Sequence, residues 1–224
     1  EYYQSSLRRA DQLHREFEQA VNDCPDAEDL MPGVVDLVRK NYRELVETVQ
    51  LKFTHFVDNA GWPPQGFMSN TQVFDTKVEP LLKSGGTRVA YLMVDALRYE
   101  LGYELNKQLV EDADAQLSVA FATLPSITPV GMASLLPGAY NKLSVHVKDG
   151  KTTPLFDGKP VSDVPSRMGV FKSQYGDRFQ EMPLKDFMKL PKKKMVENSV
   201  DLLVLRSTEI DSFFENHPED APAM

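Results

Sequence analysis

The chain has 224 residues, of which 42% are hydrophobic and 26% charged, and its formal net charge at pH 7 is −8. A chain of this length can bury a sizeable core, and its single cysteine, Cys24, excludes an intramolecular disulfide framework. No apolar run approaches the length of a membrane span and no signal peptide opens the chain, so we expect a cytoplasmic protein with no membrane partner. The acidic balance argues against a general nucleic-acid coat but leaves room for a local basic patch.

Two amphipathic helices are predicted at the start of the chain. Apolar residues recur every three or four positions from Glu1 to about Asn22, and again from Val34 to Asn59. The polar break between them predicts a helical hairpin. The apolar stripes either pack the core or bind another domain or partner, and core packing is the favoured interpretation.

The clearest domain boundary is the segment Gly61–Gly66, GWPPQG. Its prolines remove backbone donors and its glycines relax the backbone, so neither helix nor strand suits it. We therefore predict an N-terminal helical region at 1–66, a linker with a short helix at 67–87, and an α/β domain at 88–224.

The α/β domain opens with an apolar run, Val89–Val94, which is typical of a strand buried on both faces of a parallel sheet. Further strands are expected at Leu117–Phe121 and Leu202–Leu205. An amphipathic helix between the first two strands is indicated by leucines spaced by four, namely Leu97, Leu101, Leu105 and Leu109. The predicted fold class is α/β, with a mainly parallel sheet flanked by helices.

Two polar residues follow the first two predicted strands. Asp95 ends the first run, and Thr128 lies in LPSITP, after the second. Ligands of open α/β sheets bind beyond the carboxyl ends of the strands, so we expect both residues at one edge. Pro129 suits a first helical position, which makes Thr128 the expected N-cap of a helix that points its free N–H groups at an anion. From the residues alone, a plain capping role is favoured for Thr128. Asp211, which follows the predicted strand Leu202–Leu205, could likewise be the N-cap of a helix.

The remainder of the chain gives weaker signals. Leu143–Lys148 followed by Asp149-Gly150 predicts a β-hairpin, and Asp157-Gly158 predicts a second turn. We interpret these as an antiparallel excursion beside the site. Met168–Asp186 has no clear pattern, and the single basic run, Lys189–Lys194, is interpreted as solvated surface.

The segments VDALRYELG (94–102) and LPSITPVGMASLLPG (124–138) resemble the PglZ domain, a branch of the alkaline phosphatase superfamily found in BREX phage-defence systems. The resemblance covers roughly Val89 to Glu215. It implies an alkaline phosphatase-like fold and a metal-dependent phosphoesterase, similar to phosphodiesterases or nucleases. It also implies other BREX proteins as partners and a phosphodiester or nucleic acid as substrate.

The same resemblance implies roles for individual residues. Asp95 corresponds to a metal ligand, and Thr128 to the nucleophile, which also contacts metal. Asp211 matches an Asp ligand of phosphodiesterase relatives, Glu215 stands where those relatives have a His ligand, and His217 is a fallback ligand. Zinc is the expected ion, since it accepts both carboxylate and imidazole ligands. Manganese is the alternative, because carboxylates favour harder ions than imidazole does.

The later Asp-His pair of the superfamily has no counterpart, since the sequence contains no Asp-His dipeptide. The chain is therefore expected to be a fragment, truncated before the later ligand motifs, that binds metal incompletely and is inactive alone. A second function class is a non-catalytic scaffold or interaction module of the BREX complex. The Glu215 departure and the acidic net charge favour that alternative.

Overall fold

The structure, a computed structural model, describes residues 3–24, 26–191 and 196–216, and the side chains of Glu28 and of 214–216 lie outside the description. The chain divides into two compact units. The helical unit comprises 1–62, 97–118 and 211–224, and the α/β unit comprises 63–96 and 119–210. The boundaries predicted near 66 and 87 stay predictions.

The elements of both units are as follows. The α-helices are, in chain order, α1 Arg8–Asn22, α2 Ala27–Leu30, α3 Pro32–Ala60, α4 Glu79–Lys83, α5 Tyr99–Asp112, α6 Thr128–Ser134, α7 Ala139–Lys142, α8 Val164–Tyr175, α9 Leu184–Phe187 and α10 Glu209–Asn216. The strands are β1 Val89–Val94, β2 Leu143–Lys148, β3 Lys151–Phe156, β4 Lys159–Pro160, β5 Phe179–Pro183 and β6 Leu202–Ser207. Short π- and 3-10-helical segments precede α1 and α4 at Tyr3–Leu7, Asn70–Gln72 and Phe74–Val78, and Gly176–Arg178 follows α8. None of the helices in the described ranges is both long and apolar enough to cross a membrane.

In the helical unit, α1 and α3 form the predicted hairpin. The His14 ring stacks on Tyr42 with ring centroids 3.7 Å apart, and Arg39 Nη2 pairs with Glu18 Oε2 at 2.9 Å. All 29 residues of α3 are described, and Val35 is the one buried residue among them. Its apolar stripe is therefore not used chiefly for core packing, which differs from the favoured interpretation.

Helix α5 also belongs to the helical unit, and it is held there by a charged side chain. Glu100 is 1% exposed, lies 3.5 Å from Arg15 Nη1, and accepts a hydrogen bond from the Tyr3 hydroxyl at 3.4 Å. The four-spaced leucines do mark a helix, but three of them are exposed: Leu97, Leu105 and Leu109. The helix was predictable from the spacing of the leucines, whereas the contact of Glu100 with Arg15 and Tyr3 was not.

The α/β unit contains a parallel three-stranded sheet in the order β1-β6-β5. Val89 pairs with Leu202 and Val94 with Ser207, so the two strands predicted to be neighbours are in register along their length. Strand β6 is central and almost wholly buried. The predicted α/β class with a mainly parallel sheet flanked by helices is confirmed.

The strand predicted at Leu117–Phe121 is wrong. The described structure has only an isolated bridge there, between Phe121 and Ser69, and Leu117 is exposed. This short run finds no partner strand, and its residues are mostly solvent-exposed, so the strand–helix–strand unit predicted around α5 does not form. The two neighbours of the central strand β6 are β1 and β5.

Strand β1 is buried on one face only, which corrects the prediction of two buried faces. Met93 is buried, while Ala90 and Leu92 are exposed, Leu92 by 48%. β1 is an edge strand of the described sheet. Its continuous run of apolar residues therefore does not mean that both faces of the strand are buried. The fully buried strand is β6.

One face of the sheet carries an aromatic core. Phe171 of α8 stacks on Phe179 of β5 with centroids 5.5 Å apart, and Phe74 meets both Tyr91 and Phe171 edge-on. Burying several aromatic rings in mutual contact stabilises the unit by apolar burial and by edge-to-face contacts. The segment Met168–Asp186, which had no clear pattern, thus supplies both a core helix and the missed strand β5.

A second sheet of the α/β unit is antiparallel, in the order β2-β3-β4. Asp149 and Gly150 adopt φ of 52° and 73°, and Asp157 and Gly158 adopt 47° and 76°. Paired positive φ values are what two-residue hairpin turns require, so both predicted turns form.

Candidate active site

The site begins where two parallel strands end together. The Asp95 N–H donates to the Ser207 carbonyl at 2.9 Å, so Asp95 directly follows β1 beside the end of β6. Its side chain is 7% exposed. A carboxylate this deeply buried is costly unless hydrogen bonds or a cation compensate for its lost hydration.

Thr128 lies beside this carboxylate, as the sequence predicted for the edge. The Thr128 hydroxyl donates to Asp95 Oδ1 at 3.4 Å, and the Ala96 N–H donates to the same oxygen at 3.0 Å. Ala96 has φ of 56°, in the left-handed region that costs a non-glycine residue about 1 kcal/mol or more. This turn folds the backbone N–H back onto Asp95 and fixes the carboxylate.

The Thr128 hydroxyl does not cap α6, which corrects the predicted N-cap. Ile127 is the N-cap, and its carbonyl accepts from the N–H groups of Val130 and Gly131 at 3.0 and 2.9 Å. Thr128 is instead the first residue of α6, exposed, with its hydroxyl directed at Asp95. The hydroxyl of Tyr91 donates to the Leu135 carbonyl at 3.2 Å, which ties the other end of α6 to β1.

Two arginines add positive charge at this edge. Arg167 is buried in the first turns of α8, and its Nη1 donates to the Ser162 carbonyl at 2.7 Å. Burial lowers the pKa of Arg167, while the negative charges of Asp163 and Asp95 act to raise it. Arg206 of β6 pairs with Glu181 Oε2 at 2.8 Å. The Asp95 carboxylate is therefore buried within the field of the Arg167 guanidinium.

A further carboxylate at the end of β6 was missed by the sequence reasoning. The Ser207 hydroxyl donates to the Glu209 carboxylate, and this hydrogen bond is the main cause that lowers the pKa of Glu209. Glu209 follows β6 by two residues, so its position after a predicted strand was the available signal. Arg167 had no comparable signal, because it comes from the segment whose pattern was unclear.

The remaining predicted ligands are less fully described. Asp211 is the third residue of α10 and belongs to the helical unit, so it is not an N-cap. Glu215 is four residues later in the same helix, a spacing that places two residues on one helix face. The Glu215 side chain and His217 lie outside the described residues. Within the α/β unit, the predicted site residues that come together are Asp95 and Thr128.

Asp95 and Thr128 fit part of a divalent-metal site. No group of three or more His, Cys, Asp and Glu side chains placed to hold a metal occurs in the described ranges. The buried Asp95 carboxylate and the adjacent Thr128 hydroxyl are two oxygen donors of the kind that hard divalent ions accept. A catalytic zinc takes about three protein ligands, so these two residues form an incomplete donor set.

Comparison with known proteins places the chain in a family. Residues 73–216 match the family model described as the BREX system PglZ alkaline phosphatase-like domain. The chain is 28% identical over 187 residues to the alkaline phosphatase-like protein PglZ of Bacillus cereus (strain H3081.97), a match that covers 78% of this chain and 20% of that protein. It is 30% identical over 118 residues to the alkaline phosphatase-like protein BrxZ of Escherichia coli O9:H4 (strain HS), covering 51% of this chain and 13% of that protein. No solved structure matches significantly. The matched family region holds β1, α6 and β6, and the chain belongs to the BREX system PglZ alkaline phosphatase-like domain family.

Proposed function

We propose that the chain contributes the nucleophile side of a metal-dependent phosphoesterase site in an anti-phage BREX system, with a phosphodiesterase- or nuclease-like reaction. The observation that carries the proposal is the 3.4 Å hydrogen bond from the exposed Thr128 hydroxyl to the buried Asp95 carboxylate. A threonine that neither caps its helix nor is buried is available to react. Membership of an alkaline phosphatase-like family supports the same chemistry.

The proposed reaction uses this chain's residues as follows. Thr128 Oγ1 forms the bond to phosphorus as its hydroxyl proton passes to solvent, and the bond from phosphorus to the leaving oxygen breaks as that oxygen takes a proton from solvent. Water then cleaves the ester between Thr128 and phosphorus, which releases the phosphate product and restores the hydroxyl. Asp95 accepts the hydrogen bond of the Thr128 hydroxyl and orients its oxygen. A divalent ion held by Asp95 and Thr128 would lower the pKa of that hydroxyl and neutralise phosphate charge. The buried Arg167 keeps the edge from becoming strongly negative before an anion enters.

The rest of the site is assigned to residues beyond the described pair. The aligned segments span 20% and 13% of the two relatives. Asp211, Glu215 and His217 remain the proposed ligands from this chain. Zinc is the proposed ion, with manganese as the alternative.

The experiment is hydrolysis of a chromogenic phosphodiester by the intact protein after chelation, with zinc or manganese restored. Thr128→Ala should abolish hydrolysis and leave the thermal unfolding midpoint close to wild type. Thr128→Ser, which keeps a hydroxyl, should retain part of the rate. Equal rates in Thr128→Ala and wild type would show that another residue is the nucleophile.

A non-catalytic scaffold in the BREX complex is the second candidate. The observation that favours it is α3, which exposes large apolar residues such as Leu37, Leu51 and Phe56. Phage restriction in cells whose complete BREX system carries Thr128→Ala separates the two functions. Lost restriction with normal protein levels supports catalysis, whereas full restriction supports the scaffold.

A further inference from the structure

The two units differ sharply in charge, which the overall value of −8 conceals. The α/β unit has 16 Lys and Arg against 12 Asp and Glu, a net charge of +4. The helical unit has 9 Lys and Arg against 21 Asp and Glu, a net charge of −12. The α/β count includes Lys192, Lys193 and Lys194, and the helical count includes Glu1, Glu219 and Asp220; all six lie outside the described residues. The unit that carries Asp95 and Thr128 is therefore the basic one.

Some of this positive charge lies on one face of the β2–β3 hairpin. The register pairs Lys148 with Lys151 and His146 with Thr153, and directly paired residues of antiparallel strands share a face. We call this the lysine face; its members are Ser144, His146, Lys148, Lys151, Thr153 and Leu155. All are exposed except Thr153 and Leu155, which are half-buried. Strands β2, β3 and β4 contain no Asp or Glu.

The opposite face of the hairpin is apolar and anchors it. Pro154 and Phe156 are buried, and β3 packs against α6, the helix that begins at Thr128. A nearby acid, Asp157, is engaged by Lys142 at 3.5 Å, and Asp149 lies in the exposed turn. No ion pair involves Lys148 or Lys151 among the described residues. Both ammonium groups are therefore available to an anionic partner.

From these placements we propose that the lysine face binds the phosphodiester backbone of a nucleic acid. Lysine and hydroxyl side chains are the usual backbone contacts, and they carry no base specificity. The uncompensated positive charge of the lysine face complements a polyanion. Because β3 packs on α6, a nucleic acid bound to the hairpin would be linked through β3 to the helix that begins at Thr128. This inference rests on the proposed function, for which it names the substrate class and the docking element.

The test uses the intact protein and a fluorescently labelled single-stranded oligodeoxynucleotide of mixed sequence, followed by anisotropy across a salt series. Lys148→Glu/Lys151→Glu should weaken binding at least about tenfold at low salt. The uncharged variant Lys148→Gln/Lys151→Gln should flatten the logarithmic salt slope by about 1.4, which is about 0.7 for each lost contact with a single-stranded phosphate backbone. The matched control is Lys40→Glu/Lys52→Glu on α3, which makes the same change in net charge on the helical unit and should bind as wild type.

Three results would overturn the inference. They are equal affinity of the lysine-face and control variants, an unchanged salt slope, and displacement of the oligonucleotide by poly-glutamate as effective as that by unlabelled oligonucleotide. Hydrolysis of the small chromogenic phosphodiester keeps this inference separate from the proposed function. The lysine-face variants should hydrolyse it at the wild-type rate, whereas Thr128→Ala should not. Normal hydrolysis of the small substrate by Thr128→Ala would count against the proposed function, whether or not this variant binds the oligonucleotide.

Discussion

The two units are packed in different ways. The α/β unit buries a set of aromatic rings in mutual contact against a parallel sheet, and Asp95 directly follows the end of one of its strands, β1. The helical unit buries the Glu100 carboxyl group beside the half-buried Arg15, and it leaves large apolar side chains of α3 and α5 exposed. The comparison teaches that apolar burial is concentrated in the unit that carries Asp95 and Thr128, whereas the helical unit leaves large apolar side chains exposed.

Truncating the aromatic core should give the largest effect on stability. Phe171→Ala removes a fully buried ring that contacts Phe74 and Phe179, so we expect a loss of about 3–5 kcal/mol in the free energy of unfolding. The matched truncation in the helical unit is Leu109→Ala, at an exposed position, with an expected change within about 0.5 kcal/mol. Chemical denaturation measures both. Similar losses would show that the two units are packed alike.

The next largest effect is expected on hydrolysis, when aspartates at opposite ends of the parallel sheet are compared. Asp95→Asn in the intact protein should lower phosphodiester hydrolysis by about a hundredfold or more, about 2.7 kcal/mol in activation free energy, because the amide lacks the charge that holds metal. Asp201→Asn is the control, since Asp201 precedes β6 at the opposite end and pairs with Arg178 at 2.6 Å. Its activity should match wild type. Equal losses in both variants would trace the effect to general destabilisation.

A smaller effect is expected from the buried acid of the helical unit. Glu100→Gln keeps the shape of the side chain but removes the charge opposite Arg15, so we expect a loss of about 1–3 kcal/mol in stability. The exposed Glu111→Gln on the same helix should change stability by less than about 0.5 kcal/mol. If the two variants unfold at the same denaturant concentration, the buried pair does not dock α5.

The smallest effect is a pH dependence from His14. Burial lowers its pKa, with Arg39 acting in the same direction and Glu18 and Asp11 opposing, and its Nδ1 has no partner in the described structure. A depressed folded-state pKa means that stability is complete above the unfolded value of about 6.5 and falls as pH drops through it toward the lower folded value. His14→Phe should remove this component of the pH profile. An unchanged slope of stability against pH below 6.5 in His14→Phe would contradict the assignment.

The sequence predicted elements better than their environments. The helices at α1 and α3, the hairpin turns at Asp149 and Asp157, and the neighbouring strands β1 and β6 follow from local patterns of apolar residues and turn residues. Burial depends on what covers an element, which no local pattern contains. That is why Leu92 is exposed and Glu100 is buried, against their types.

The candidate site shows the same limit. Asp95 and Thr128 do lie together, and for Asp95 the predicted reason holds, because it directly follows β1. For Thr128 the predicted reason was wrong, because no strand forms at Leu117–Phe121 and Thr128 reaches the edge as the first residue of α6. The direction of the Thr128 hydroxyl was not predictable, because Ile127 and Thr128 are one residue apart and helix starts are uncertain by that much. Arg167 reaches the edge from α8 through tertiary packing alone.

The most direct test of the central claim is a search for the covalent product on Thr128. The intact, metal-loaded protein would be mixed with a phosphodiester substrate, quenched in acid and analysed by peptide mass spectrometry. We expect a phosphoryl-ester adduct on the peptide that contains Thr128, retained on serine in Thr128→Ser and absent from Thr128→Ala, which should also be inactive. Hydrolysis by Thr128→Ala at the wild-type rate, or an adduct on another residue in place of Thr128, would contradict its role as the nucleophile.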